Sequence, residues 1–474
     1  MIEKTEIDAK AEELGVRTAD VQKDYVFGWL LSGIHNVSPD LKNQLILKGG
    51  NSFRKAYFEH ARYSNDLDFS TLTEVDPEHL RTELNKVCDY VTAHTGVQFD
   101  KGESKVGLKR GSDDERKVYE AKVYFDGFYG EQECTLKVKM DVQAFDKIFL
   151  PVQTRNIIHS YSDAAECAGQ VQCHKLEELL ASKLNALLHR RHSPDLYDFI
   201  YSVFFQKMLD INRLEVISTF LKKTIYEPDP RVAKNILLEL PFQTLRSFWS
   251  EYLVCPTQSL ITFDDAEQQF RSIVPELFGL LSPAYAMAGI GSHNINYFNA
   301  ANRSTIMDAG QAKKMVRMMY DGLERMVEPY SLTYKVKGDG EGKEYFYGVD
   351  IRGGKSGKVG IKMYTQDKVQ SLEMTQDTFE PRYDIELSKA GEHFGKTYFS
   401  KPFSKTPRPY RAPKIKTHTT RPRRSSLSSI YGVSYTVQCM VCNKRFKRST
   451  YDTKLNKHKD RFGNQCYGTY GYIV

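Results

Sequence analysis

Apolar and polar positions change their period several times along the chain, and those changes divide it. QLILKGG reads as a short apolar strand closed by a glycine turn at Gly49-Gly50. NSFRKAYFEHA then carries Phe53, Ala56, Tyr57 and His60 at helical spacing. In SNDLDFS the period falls to two, with Leu67 and Phe69 on one strand face and Asp66 and Asp68 on the other. TLKVKMDVQ repeats the alternation, Val138, Met140 and Val142 against Lys139 and Asp141. LEELLASKLNALLH returns to the helical period, with Leu176, Leu180, Leu184 and Leu187 as its core face and Lys183 at the edge. Residues 1–205 therefore read as one α/β (α+β) domain. Residues 206–327 read as a helical region, including IMDAGQAKKMVRMMYDGLERMV at 306–327. Residues 328–398 alternate like strands, with turns at Gly338-Asp339-Gly340 and Gly353-Gly354. Residues 399–432 have the Pro, Ser, Thr, Lys and Arg content of a linker, and a cysteine-bearing module occupies 433–474.

Composition narrows the class. With 41% hydrophobic residues the chain can build real cores, so wholesale disorder is excluded, and 474 residues suggest about three domains. No run approaches the roughly 20 apolar residues of a membrane span, and MIEKTEIDAKAEELG lacks the apolar stretch of a signal peptide. A cytoplasmic location without membrane contact is the expectation. Cys88, Cys134, Cys167, Cys173 and Cys255 are scattered and read as buried or inert thiols rather than a disulfide framework. The net charge of +7 is uneven: residues 401–474 carry 17 Lys/Arg against 2 Asp/Glu, leaving the first 400 residues at −8. A basic tail on an acidic body fits a nucleic-acid partner, or a solvated charged linker.

The aspartates bring in chemistry. Adjacent carboxylates repel each other unless a cation neutralises them. Mg²⁺ takes carboxylate oxygens together with substrate phosphates, which makes Asp66 and Asp68 candidate ligands. Asp141, on a neighbouring strand, would complete a site for two metals. An Asp-x-Asp alone fits an exposed strand end better; the glycine turn and the third aspartate together favour the metal. A strand, glycine turn and helix start also present backbone N–H groups to a phosphate. Arg54, one turn into that helix, is placed to clamp a phosphate oxygen.

Together these motifs resemble the DNA polymerase β-type nucleotidyltransferase fold and, more narrowly, the AbiEii/AbiGii family of nucleotidyltransferase toxins. Lys23-Asp24 matches the family's early Lys-Asp, Lys48-Gly49-Gly50 its KGG turn, and Ser64 to Phe69 its S-x-D-L-D-F block. Lys183 followed by Asp195 and Asp198 matches its helix-borne lysine and Asp-rich turn. The resemblance covers residues 20–205. It implies catalytic roles for Asp66, Asp68, Asp141, Lys183 and Asp195, with Mg²⁺ on the first three and Asp141 as base or second-metal ligand. It further implies an NTP held by Gly49, Gly50, Asn51, Ser52, Arg54 and Lys183. Where the family has Ser or Thr after the turn this chain has Asn51, so the phosphate contact falls to the Asn51 amide or to Ser52. The resemblance also implies the toxin of a toxin–antitoxin or phage-defence pair, with a cognate antitoxin and an RNA acceptor, tRNA by analogy.

The β-rich region is similar to a WYL-type domain, a small SH3-like barrel, through Tyr345, Tyr347, MYTQDKVQSLEMT and TFEPR, although the name-giving tripeptide is missing. RGGKSGK at 352–358 mimics a phosphate loop, but Val349 stands where its first glycine belongs, and a hairpin turn is expected. In the tail, Cys439-x₂-Cys442, His458 and Cys466 match a four-coordinate structural Zn²⁺ site, wrapped in lysine and arginine with Phe446, Tyr451 and Phe462 between them. Two other functions fit the same sequence: a nucleic-acid-binding regulator on an inactive fold, and a nucleotidyltransferase acting on protein or a small molecule.

Overall fold

The computed structural model describes residues 2–109, 117–127, 135–205, 209–281, 296–336, 342–354, 357–383, 385–387 and 390, and, in the C-terminal module, 435–439, 441–442, 444–448, 454–460, 465–466, 468 and 471–473. The expected linker at 399–432, the turn at Gly338–Gly340, Cys134, Tyr451 and Phe462 lie outside the described residues.

Local chemistry sets the first layer. Asp76 accepts from the Glu78 and His79 amides, Pro77 suits the first turn, and Gly96 at φ 75° ends the helix Pro77–Thr95. This helix packs against the more deeply buried Thr18–Val37, and the two share one apolar core with a seven-stranded sheet. The strands are β1 (Ile46–Lys48), β2 (Asp66–Ser70), β3 (Lys105–Leu108), β4 (Val118–Asp126), β5 (Thr135–Gln143), β6 (Gln153–Asn156) and β7 (Gln170–Cys173). Their order is β3-β4-β5-β2-β1-β7-β6, with β2–β5 and β1–β7 parallel and the other neighbours antiparallel. Leu67, Phe69, Val138, Met140 and Val142 are buried, as the period-two pattern predicts, and the aspartates face the other way.

A second core joins Leu176–His189, Ser193–Ile200, Arg213–Lys222, Pro230–Leu238 and Phe263–Gly279, with Phe53 and Phe58 from beside the glycine turn. The described middle of the chain is helical, but not to residue 327. The helix Ala300–Ala312 stops at Lys313, which turns left-handed at φ 53°. The segment expected to continue it forms two antiparallel strands instead, β8 (Lys314–Tyr320) and β9 (Leu323–Val336), joined by Asp321 and Gly322 at φ 53° and 73°. An Asp-Gly pair favours a tight hairpin because both central residues need positive φ. β10 (Gly342–Asp350), β11 (Gly360–Tyr364) and β12 (Val369–Thr378) complete a sheet of order β11-β10-β9-β8-β12. Its outer strands do not pair with each other among the described residues, so the expected SH3-like barrel is corrected to an open antiparallel sheet covered by Ala300–Ala312. The decoy loop is a turn between β10 and β11, with Gly353, Gly354 and Gly357 at positive φ.

No helix among the described residues is long and apolar enough to cross a membrane. Cys88, Cys167, Cys173 and Cys255 are free and buried.

Candidate active site

β1 delivers the glycine turn directly beside β2. Lys48 lies opposite Asp68, and Gly49 takes φ 70°, a conformation that disfavours any side chain. A Cβ on Gly49 would collide with Asp68 Oδ2, so the turn and the carboxylate are in van der Waals contact through the missing side chain. A Cβ on Gly50 would lie 2.7 Å from Ser64 Oγ and 2.8 Å from Arg62 Nη2. Asn51 is buried and donates to the Asp66 carbonyl at 2.7 Å, leaving its own Oδ1 without a partner. Ser52 is buried with its hydroxyl 3.5 Å from the Leu47 carbonyl.

Across the parallel pair, Asp68 sits opposite Asp141 and Asp66 opposite Lys139. Lys139 bridges Asp66 and Asp141 at 3.3 and 2.9 Å, and Lys109 reaches Asp141 at 2.5 Å. Burial and the neighbouring charges of Asp66 and Asp141 push the Asp68 carboxyl up to about 6, against Lys48 and Lys139. Burial works on Asp141 in the same sense, but its two lysines outweigh it and hold that carboxyl below the usual range. Asp141 Oδ1 is buried and has no hydrogen-bond partner. The three aspartates do not gather their oxygens as closely as the tail cysteines do: among the described residues, only the tail cluster brings three or more such ligand atoms within 4.8 Å of one another.

Behind Gly50 runs a buried chain of charges. Arg62 grips Asp198 with two bonds of 2.7 and 2.8 Å, Lys183 bridges Asp198 and Asp195 at 2.6 and 3.0 Å, and Arg190 grips Asp195 at 2.6 Å on both oxygens. Lys183 is only 7% exposed, so it does not project from the helix edge as its position in the sequence suggests. The Arg190 side chain is 54% exposed, and the Asp195 charge, with a smaller contribution from Asp68, holds its guanidinium charged. Arg190 is the cation at the mouth of this network, and sequence reasoning passed over it; it is the first residue after a helix ending at His189. Its neighbour Arg191, at φ 48°, reaches away to Asp308 on Ala300–Ala312 at 2.5 Å.

Arg54 is placed differently from its expected position. Its guanidinium donates to Asp24 at 2.7 Å and to the Glu59 and Ala61 carbonyls, and it lies 3.9 Å from the Tyr63 ring centre. Asp24 also pairs with Lys55 at 2.9 Å and accepts from Tyr161. Arg54 is therefore enclosed by the chain's own groups, and the Lys-Asp motif supplies the buried anion that holds it. Lys48 turns to Asp146 and Gln143, and Asp146 in turn accepts from Ser70, whose hydroxyl meets His174.

Residues 29–246, somewhat under half the chain, match the family model described as nucleotidyl transferase AbiEii toxin, Type IV TA system. Those residues form a nucleotidyltransferase segment of the AbiEii type. Two solved structures are similar over a longer stretch. MenT4, a nucleotidyltransferase toxin from Mycobacterium tuberculosis H37Rv, has 18% identity and a TM-score of 0.38, covering 60% of this chain and 94% of its own. JHP933 from Helicobacter pylori has 13% identity and a TM-score of 0.34, covering 58% and 99%. No curated protein matches the chain. The AbiEii segment contains the glycine turn, all three strand aspartates, Lys183 and Arg190.

The tail cluster lies outside the AbiEii segment. Cys439, Cys442, His458 and Cys466 place one ligand atom each within 4.8 Å of the others. The amides of Val441 and Gly468 point at the Cys439 and Cys466 sulfurs, each at 3.4 Å, as in a tight metal knuckle. His458 Nδ1 lies 2.8 Å from the Asn456 carbonyl, which favours the tautomer that leaves Nε2 toward the cluster.

Proposed function

We propose that this chain transfers a nucleotidyl group from an NTP to an RNA acceptor, as the toxin of a toxin–antitoxin or phage-defence pair acting in the cytoplasm. The observation that carries the reading is the facing of Asp68 and Asp141 across β2 and β5, directly beneath the positive-φ glycine of a KGG turn. The donor set fits a divalent cation. Asp141 offers a buried oxygen with no donor of its own, and Asp68 bears a carboxyl raised by burial and by two like charges. Asp66, Asp68 and Asp141 would hold Mg²⁺, which supplies orientation of the triphosphate and neutralises its negative charge. The lysines that keep Asp141 ionised suit it to the ligand role rather than that of a base. Gly49 keeps a side chain out of the space between the turn and Asp68, Gly50 keeps one away from Ser64 and Arg62, and Arg190 presents an exposed guanidinium to phosphate oxygens. Lys183 and Asp195 act through Arg190, fixing it from behind. Asn51 and Ser52 shape the turn from within. The oxygen of the acceptor hydroxyl attacks the α-phosphorus as its proton passes to solvent, the bond to the bridging oxygen breaks, and pyrophosphate leaves.

The tail residues Cys439, Cys442, His458 and Cys466 would hold Zn²⁺ in a closed structural site; three thiolates and one imidazole are a usual donor set for it. tRNA is the acceptor favoured by analogy, and the type IV description of the family supports a cognate antitoxin. The test is to incubate the protein with Mg²⁺, total bacterial RNA and each NTP labelled at the α-phosphate, beside the Asp66→Asn/Asp68→Asn protein. Label in RNA with the unaltered chain alone is the expected result. A well-folded sample that labels nothing would turn the reading toward a nucleic-acid-binding regulator, and label on protein toward a different acceptor.

A further inference from the structure

On the sheet face that carries the carboxylates, three lysines stand in one cross-strand row. Lys105 of β3 lies opposite Lys122 of β4, Lys122 opposite Lys139 of β5, and Lys139 opposite Asp66 of β2. Residues paired in this way share a face, so the row runs from the edge strand to the first carboxylate of the site. At about 4.8 Å per strand it spans about 14 Å. Lys137, two residues before Lys139, stands on the same face opposite Tyr124 of β4. Side-chain exposure falls along the row from 74% at Lys105 to 35% at Lys122 and 17% at Lys139. The row therefore slopes from open solvent into the site.

Like charges directly opposed across strands destabilise a sheet. The acids nearby answer them unequally. Lys139 has Asp66 and Asp141, and Lys122 has Glu120. Among the described residues, Lys105 has only a loose 3.9 Å contact with Glu103, itself 67% exposed. Lys137 has no ion-pair partner among the described residues; burial and then Lys122 push its ammonium below the usual range, against the more distant charges of Asp66 and Glu120. A file of cations that costs stability, leads to a reacting centre and has an aromatic ring set among its members suits a chain of phosphates carrying bases.

We infer that this lysine row is the acceptor track. A single-stranded polyribonucleotide lays its phosphodiesters along Lys105, Lys122 and Lys137, stacks a base on Tyr124, and brings its terminal hydroxyl to Asp66 and Asp68. The assignment rests on the nucleotidyl-transfer reading and gives its two substrates opposite sides of the carboxylates. The NTP lies on the β1 side, with the glycine turn and Arg190; the acceptor lies on the β3 side. For this step the basic tail module is secondary.

The test uses the full chain and a single-stranded oligoribonucleotide, with affinity measured across a salt series. Lys105→Gln/Lys122→Gln/Lys137→Gln is expected to weaken oligonucleotide binding at least tenfold. It should also lower the log–log salt slope by about 2, since each phosphate neutralised on a single strand contributes about 0.7. Mg²⁺–NTP affinity should stay within twofold and the thermal midpoint should not fall. Unchanged affinity and slope in this variant would overturn the track. So would an equal loss caused instead by Arg445→Gln/Lys457→Gln in the tail, or label appearing on protein rather than on the oligonucleotide. The Asp66→Asn/Asp68→Asn protein separates the two readings. It should bind the oligonucleotide normally while losing transfer, so an unaltered chain that binds but never labels defeats nucleotidyl transfer and leaves the binding row standing.

Discussion

The chain holds two sets of candidate metal ligands that are built in opposite ways. The carboxylates project from a sheet whose apolar core is complete without them, and lysines occupy the space between their charges. The tail ligands have no such support. Among the described residues, their module's core consists of Val437, Leu455 and two of the ligands themselves, Cys439 and Cys466, with Cys442 and Phe446 packed against them. In the first set the fold bears the electrostatic cost of holding the ligands; in the second the metal must hold the fold. A carboxylate site that exists before its cation can release and rebind it with each turnover, which suits catalysis. A core made of ligands cannot do so, which suits structure.

Metal removal should separate the two most sharply. A chelator, or Cys442→Ser, is expected to strip one Zn²⁺ per chain and abolish amide-exchange protection in the strands Tyr435–Cys439 and Arg445–Arg448, while the helices Thr18–Val37 and Leu176–His189 stay protected. The energy at stake is about 10 kcal/mol or more, by comparison with zinc-finger peptides. Retained protection in the tail of the metal-free protein would erase the contrast. Next in size, Asp66→Asn/Asp68→Asn should lower labelling by about a thousandfold or more, about 4 kcal/mol of barrier, with no loss of unfolding midpoint. A destabilised variant would show that the carboxylates serve the fold after all.

The charge network behind the turn gives a control of the opposite kind. Asp198→Ala leaves Arg62 and Lys183 buried without it, and should cost about 3–5 kcal/mol in a urea titration. The smallest effect concerns pH. The folded Asp68 carboxyl sits at about 6, above its ordinary value of 3.8, so the native state binds the extra proton between those values and loses stability as pH rises through the window. Above pH 6, Asp68→Asn is expected to be more stable than the unaltered chain by about 3 kcal/mol. The gap should close below pH 4 and shrink when Mg²⁺ is added. A gap independent of both would mean that these carboxylates are not held against their own repulsion.

Period-two alternation was enough to read the faces of β2 and β5, because a strand offers only two and the apolar residues chose one. The glycine turn was legible for a similar reason: few residues tolerate φ 70°. The sequence misled where a local signal competed with a longer one. Apolar residues at helical spacing near 306–327 concealed the Asp321-Gly322 hairpin, whose two-residue turn outweighs the helix pattern around it. Arg54 lies one turn past the glycine turn, where a phosphate clamp is expected, yet its partner is Asp24, 30 residues earlier. Arg62 and Asp198 are 136 residues apart, and no spacing along the chain announces such a pair. The lysine row was hidden likewise, because register across strands is decided by pairing and not by sequence distance.

Arg190 and Arg191 are joined by a single peptide bond, yet one grips Asp195 beside the carboxylates and the other grips the helix that covers the C-terminal sheet. The left-handed backbone at Arg191 is what lets consecutive side chains serve such separate masters. A displacement of Ala300–Ala312 would act first on Arg191 and, through a single peptide unit, on Arg190, the exposed cation whose charge Asp68 feels.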